Sequence, residues 1–162
     1  MLSEKLKNYN IILASGSPRR QRFFKEMDID FTIQLKEIEE IYPDSLRGVE
    51  ITDYLSKLKA AAFQDLSEKD LLITSDTIVW QSGKAVEKPK DAADAFRMIQ
   101  SFSGRMHNVF TSVTFTGKKN QKTIHDTTKV WFNDLTDDEI NYYVNTYQPF
   151  DKAGGYGIQE WL

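Results

Sequence analysis

The sequence predicts an α/β protein built on a mixed sheet, and three observations lead there. Short apolar runs alternate with stretches of helical periodicity over the first hundred residues, a hairpin pattern follows between residues 109 and 132, and two helix starts carry clear capping signals. No internal repeat, low-complexity tract or Pro/Gly-rich linker interrupts the chain, so a single domain over residues 1–162 is expected.

Tyr9 to Ala14 reads as a buried strand that Ser15-Gly16-Ser17 breaks. Pro18 then opens a helix with Ser17 as its N-cap and with Phe23, Phe24 and Met27 as its apolar face. Phe31 to Leu35 is a second short strand, followed by the acidic run Glu37-Ile38-Glu39-Glu40. From Ile51 to Phe63 the residues Ile51, Tyr54, Leu55, Leu58, Ala61 and Ala62 recur at helical spacing. Leu71-Leu72-Ile73 is too short for a helix and runs into Thr74-Ser75-Asp76-Thr77, so a strand is expected to deliver Asp76 to its end. Ile78-Val79-Trp80 and the turn Gln81-Ser82-Gly83-Lys84 follow.

Asp91 to Phe102 is helical, with Ala95, Phe96, Ile99 and Phe102 on one face and Ser103-Gly104 as its stop. Val109 to Phe115 and Thr123 to Phe132 flank the turn-like Gly117-Lys118-Lys119-Asn120 as a long hairpin. Thr136 and Glu139 form a capping box that opens a helix from Asp137 to about Thr146.

Composition narrows the chemistry. Hydrophobic residues at 40% and charged residues at 28% are ordinary globular usage, which argues against disorder. A net charge of −3 leaves no global positive field, so a nucleic-acid partner is not expected and any anion must meet local basic residues. Ile11-Ile12-Leu13-Ala14 is too short for a signal-peptide core or a membrane span, which points to a cytoplasmic protein with no membrane partner. The absence of cysteine excludes disulfides, thiolate nucleophiles and Cys-ligated zinc. His107 and His125 have no HExxH-type neighbour, so a hard cation held by carboxylates is the more natural metal.

Four groups of residues can carry chemistry. Ser15-Gly16-Ser17-Pro18-Arg19-Arg20 stands between a strand and a helix, where a helix N-terminus and two arginines supply donors for phosphate. A capped surface helix with solvated arginines is an equal alternative for that motif alone. Asp76 sits where ligands collect in α/β sheets, suited to a metal or to deprotonating a water, although a turn aspartate is the commoner use. Glu40 is the other candidate carboxylate. Lys59 borders the buried face of its helix and Lys88 stands between a turn and a helix; each alone reads as a snorkelling lysine. The glycines of Asp151-Lys152-Ala153-Gly154-Gly155-Tyr156-Gly157-Ile158-Gln159 suit either close approach to a ligand or an ordinary loop.

Taken in order, these segments resemble the Maf family of nucleotide pyrophosphatases over nearly the whole chain. The matching pieces are Leu13 to Arg20, Glu40, Lys59-Ala60, Ser75 to Val79, Gly83 to Lys88-Pro89, Ser103-Gly104 with His107, Val109 and Thr111, and Asp151 to Gln159. The resemblance implies an elongated mixed sheet with a cleft between two lobes, similar to inosine triphosphate pyrophosphatases, and homodimers are common among such proteins. It implies a house-cleaning hydrolase that splits dTTP and UTP, or modified pyrimidine nucleotides, to the monophosphate and pyrophosphate with a divalent cation, Mg or Mn. By the same resemblance Asp76 is the proton acceptor close to the metal and Glu40 serves metal binding or catalysis. Ser17, Arg19, Arg20, Lys59 and Lys88 line the phosphate site, and Arg19, Thr77 and Gln159 occupy the specificity-determining positions. Thr77 after the aspartate is the pattern of the dTTP/UTP subgroup. Family members continue past Gly-Ile-Gln into a further segment ending in a strand, whereas this chain stops at Glu160-Trp161-Leu162. Either the sequence lacks that segment or the protein is truncated, and if the segment is truly absent an unpaired sheet edge and a less complete cleft wall near Gln159 are expected. The competing class is a non-catalytic nucleotide sensor or nucleic-acid-binding regulator of cell division, for which an aspartate among phosphate donors has no use.

Overall fold

The computed structural model describes residues 1–161. Its elements are α1 (Leu2–Leu6), β1 (Asn10–Leu13), α2 (Pro18–Glu26), β2 (Thr32–Ile33), α3 (Val49–Ala61), β3 (Asp70–Gln81), β4 (Lys84–Val86), α4 (Ala92–Phe102), β5 (Met106–Thr116), β6 (Gln121–Trp131) and α5 (Asp137–Tyr147), with a 3-10 turn at Ala153–Gly155. The six strands form one mixed sheet in the order β2-β1-β3-β5-β6, with β4 pairing β3 from off that path. β1 runs parallel to β2 and β3, whereas β4 runs antiparallel to β3. The mixed α/β class expected from the sequence is therefore the class observed, while the short α1 and the short strand β4 are additional to the elements the sequence predicts.

The chain divides into two compact units, residues 1–76 with 111–125, and residues 77–110 with 126–162. In the first, β1 and β3 are covered on both faces, which explains their unbroken apolar runs. Ile11, Leu13 and Ile73 pack with Ile29, Phe24 and Phe31, while Ile12 and Leu72 pack with Ala60 of α3 on the opposite face.

Nearer its N-terminus, α3 meets the sheet through hydroxyls. Thr52, Ser56, Thr74, Ser112 and Thr114 are all fully buried. Thr52 Oγ1 lies 2.7 Å from Ser112 Oγ, and Ser56 Oγ lies 2.8 Å from Thr114 Oγ1. Thr74 donates to the Ser56 carbonyl at 2.7 Å, and Ser112 donates to Asp53 Oδ1 at 2.6 Å. Every hydroxyl in this seam has a partner, which is the condition for burying it without a desolvation penalty.

The second unit has its own core of Val79, Ala95, Ile99, Phe102, Val130, Ile140, Tyr143, Val144 and Tyr156. α4 starts at Asp91, whose carboxylate accepts the Asp94 N–H, and α5 starts at the expected capping box of Thr136 and Glu139. The β3–β4 hairpin turns through Ser82 and Gly83, both at positive φ, as a tight two-residue loop requires. Gly154 holds φ at +74°, and a Cβ there would lie 3.0 Å from Val79 Cγ2 and 3.4 Å from Phe102 Cε2. Gly154→Ala is expected to cost about 2 kcal/mol or more, from the left-handed backbone and the overpacking together, and to lower the thermal midpoint by roughly 4–8 °C. An unchanged melting curve would show that this turn can move away from Val79.

Inside this core His107 is wholly buried, with its ring centroid 4.3 Å from that of Phe102 and 5.3 Å from that of Phe132. Its Nε2 lies 2.6 Å from the Tyr156 hydroxyl, and its Nδ1 has no partner among the described residues. Burial pushes the imidazole below its ordinary 6.5, and it pushes the Tyr156 hydroxyl up to about 12. A histidine with a depressed folded pKa is neutral in the fold, while the unfolded chain takes up its proton first as pH falls through 6.5. Its contribution is thus complete above pH 6.5 and is lost on acidification, at no more than about 1.4 kcal/mol per pH unit. His107→Phe is expected to flatten the fall in thermal midpoint between pH 7 and pH 5, and a slope equal to wild type would refute the assignment.

Candidate active site

Asp76 is not at a strand end. β3 continues through it to Gln81, because Thr77, Ile78, Val79 and Trp80 are strand formers and Val79, Trp80 and Gln81 pair with β4. What ends near Asp76 is the parallel ladder. β1 pairs β3 only as far as Leu13 opposite Ile73, after which β1 gives way to the Ser15–Ser17 loop. The carboxylate therefore stands just beyond the carboxyl end of the parallel strands, where the sequence argument needed it, although in the middle of its own strand.

Side chains alternate along a strand, so Leu72, Thr74 and Asp76 share the face of β3 that meets α3. Side chains on a helix lean toward its N-terminus, which carries the Lys59 ammonium back along α3. Its Nζ lies 2.7 Å from Asp76 Oδ1 and 3.1 Å from Glu40 Oε1. The Lys59 and Asp76 side chains are 18% and 8% exposed, so that contact is largely desolvated, whereas Glu40 at 53% contributes a screened, weaker one. Asp76 Oδ2 is buried and has no hydrogen-bond partner among the described residues. A carboxylate with one oxygen clamped and the other unpartnered is a ready acceptor for a proton or a cation.

The helix start at Pro18 is organised by its neighbours. Ser17 is the N-cap residue, as expected, but its hydroxyl makes no capping bond; its N–H donates instead to Ser15 Oγ at 3.2 Å. Gln21 Nε2 donates to the Ser15 carbonyl at 3.3 Å and closes the loop over α2. Arg20 folds back and donates from Nη1 to the Ser75 carbonyl at 3.0 Å, next to Asp76 in sequence. Burial lowers the pKa of Arg20, an effect that Asp76 and Glu40 oppose and Arg19 reinforces. Arg19 is exposed, and no acidic residue occupies the first turn of α2. The expected apolar face of α2 is reduced to Phe24, since Phe23 and Met27 are about half exposed.

The first unit thus brings together Asp76, Lys59, Glu40 and, through Ser75, Arg20. Thr77 follows Asp76 on β3, half-buried and on the other face of the strand. Lys88 is exposed in the second unit between β4 and α4, beside the buried Pro89. Gln159 is exposed in a turn closed by the Glu160 N–H donating to the Gly157 carbonyl at 2.9 Å. Tyr143 and Glu160, not singled out from the sequence, fix that turn together with Lys152. The Tyr143 hydroxyl donates to Glu160 Oε2 and accepts from the Gly157 N–H at 2.9 Å, while Lys152 Nζ reaches Glu160 Oε1 at 3.3 Å. Burial first, and the Glu160 hydrogen bond second, raise the pKa of the Tyr143 hydroxyl. Gly154 and Gly155 pack against Val79, Phe102, Pro89 and Ala95, so these glycines serve close packing in the core.

In chemical class this is a carboxylate site, with a cation-clamped aspartate beside a basic helix start at the end of a parallel ladder. The chain belongs to the Maf family: the family model described as Maf-like protein matches residues 10–162. It is 59% identical to the dTTP/UTP pyrophosphatase of Flavobacterium johnsoniae over 163 aligned residues, covering 100% of this chain and 84% of that one. Against the protein of the same name from Flavobacterium psychrophilum the identity is 57%, with 100% and 84% covered. Among solved structures, the Staphylococcus aureus Ham1 protein aligns with 79% of this chain and 72% of its own at TM-score 0.49 and 15% identity, a likeness too loose to add to the assignment.

Proposed function

We propose that this chain is a nucleoside triphosphate pyrophosphatase that hydrolyses dTTP and UTP to the monophosphate and pyrophosphate, a house-cleaning activity on the nucleotide pool. The observation that carries it is the buried Asp76, with Oδ1 on Lys59 and Oδ2 unpartnered. The relatives bearing the dTTP/UTP pyrophosphatase name, 57–59% identical over the whole chain, support the substrate.

Cleavage between the α- and β-phosphates requires a water directed at phosphorus and donors for the departing pyrophosphate. Asp76 Oδ2 serves either as the acceptor of that water's proton or as a ligand to the cation, while Lys59 keeps the carboxylate from turning. Ser17, Arg19, Arg20, Lys59 and Lys88 are assigned to the phosphates. The Thr77 hydroxyl and the Gln159 amide are assigned to the base, since they offer the donors and acceptors that a pyrimidine edge takes.

A divalent cation, Mg or Mn, is part of this proposal. Among the described residues no group of three or more His, Cys, Asp or Glu forms a metal cage. A magnesium-like ion needs only one or two carboxylates when phosphates complete its shell. Asp76 with its unpartnered Oδ2, together with Glu40, fits that requirement. When bound there, the ion would neutralise charge on the phosphate oxygens. We also infer a cytoplasmic protein without a nucleic-acid partner, since the net charge of −3 leaves no global positive field, and a homodimer is one assembly to be tested. Among the described residues no helix is long and apolar enough to cross a membrane.

The test is pyrophosphate release from a panel of nucleoside triphosphates with magnesium, with manganese and after chelation. dTTP and UTP are expected to give the highest kcat/KM, with loss on chelation. Greatest activity on a purine triphosphate would overturn the substrate, and absence of release from every nucleotide would overturn the reaction.

A further inference from the structure

We propose that Thr74 is a positioning residue that sets where the Lys59 ammonium meets Asp76, an inference that rests on the hydrolytic reading of that site. Thr74 lies on the same face of β3 as Asp76, two residues before it, and is fully buried. Its hydroxyl donates at 2.7 Å to the Ser56 carbonyl of α3, three residues before Lys59. The same helix turn is held a second time by Ser56 Oγ, 2.8 Å from Thr114 Oγ1.

At 1.5 Å per residue, that anchor sits about 4.5 Å along the helix axis from the Lys59 backbone. The outer contact between Thr52 and Ser112 sits about 10.5 Å from it by the same measure. Apolar packing is non-directional and lets a helix slide or roll by fractions of an ångström, whereas a hydrogen bond weakens steeply as its geometry departs from ideal. The apolar contact that α3 makes with Leu72 and Ile12 is centred on Ala60 and would permit that slip. The Thr74 hydroxyl opposes it at the point where a small displacement of Lys59 would let the Asp76 carboxylate turn.

The experiment compares Thr74→Val, of nearly the same shape, with Thr74→Ser, which restores the donor. Thr74→Val is expected to lower kcat at least about tenfold with KM moved less than about threefold, since misplacement of a catalytic group by an ångström can cost about a hundredfold. Thr74→Ser is expected to return kcat to within about twofold of wild type. In a Lys59→Met background, Thr74→Val should add almost nothing, because both changes remove the same contact. Ser112→Ala, at the outer contact, is expected to lower the thermal midpoint while keeping kcat within about twofold. Should Thr74→Val not fold, Thr74→Cys keeps most of the volume with only a weak donor and serves the same comparison.

Near-wild-type kcat in Thr74→Val, loss that Ser does not rescue, or an equal loss on the Lys59→Met background would each overturn the positioning role. Wild-type protein that releases no pyrophosphate would count against the hydrolytic reading instead. In that event the ammonium resonance of Lys59, expected to exchange slowly in wild type because the group is held by Asp76 and largely desolvated, still decides. It is expected to broaden away in Thr74→Val and to persist in Thr74→Ser and Ser112→Ala, and its persistence in Thr74→Val would overturn the inference.

Discussion

Asp76→Asn is expected to reduce pyrophosphate release by about 100- to 10,000-fold, the range typical of a lost general base. The amide keeps the shape of the carboxylate but cannot take a proton from water. The side chain is almost fully enclosed, and its Oδ2 has no hydrogen-bond partner among the described residues, so no neighbouring carboxylate is bonded to it and ready to replace it. Glu40 reaches Lys59 from a half-exposed position and is a poor substitute. The fold should survive, because Lys59 keeps its contact with Glu40 and the Asn side chain can still accept a hydrogen bond from it. Turnover near the wild-type rate, with a normal thermal transition, would remove Asp76 from the mechanism.

Lys59→Met should produce the largest loss of stability. It leaves a carboxylate only 5% exposed without the cation 2.7 Å away, and stranding one member of a buried pair costs about 3–5 kcal/mol. For a chain of this size the thermal midpoint should fall on the order of 10 °C. Adding Asp76→Asn removes the stranded charge, so the double variant should recover most of that loss while remaining inactive. Circular dichroism melts of the two single variants and the double variant decide the matter. A Lys59→Met protein that melts with wild type would mean that the ion pair contributes nothing to the fold.

Several local signals in the sequence were reliable where they involved neighbours, although the Ser17 hydroxyl makes no capping bond. The starts of α4 at Asp91 and of α5 at Thr136 and Glu139 could be read because a cap is made within four residues. The Ser82-Gly83 turn was equally plain. The course of β3 was harder. Thr74-Ser75-Asp76-Thr77 looks like a break because polar residues usually end a buried strand, and here Thr74 is buried because α3 and β5 supply partners from 18 and 40 residues away. The link between Lys59 and Asp76 was not legible as a contact for the same reason. The sequence placed the lysine at the border of the helix's buried face, but which group it meets depends on how α3 lies across the strand. For α2, three large apolar residues suggested a full buried face, yet only Phe24 finds a place in the core. Tyr143 and Glu160, which hold the turn bearing Gln159, gave no signal because neither lies in a motif that the fold completes locally.

The placement of the indole rings has a practical consequence for following unfolding by light. All three tryptophans, Trp80, Trp131 and Trp161, belong to the second unit. Trp80 lies edge-on to Phe110, Trp161 lies against Tyr142, and Trp131 is exposed. Intrinsic emission excited at the indole band therefore reports on that unit alone, and the half of the chain that carries Lys59 and Asp76 has no indole of its own. If the two halves melt at different temperatures, emission will record one transition and far-ultraviolet dichroism two. The difference between the traces is then a direct readout of the stability of the part that holds the proposed chemistry.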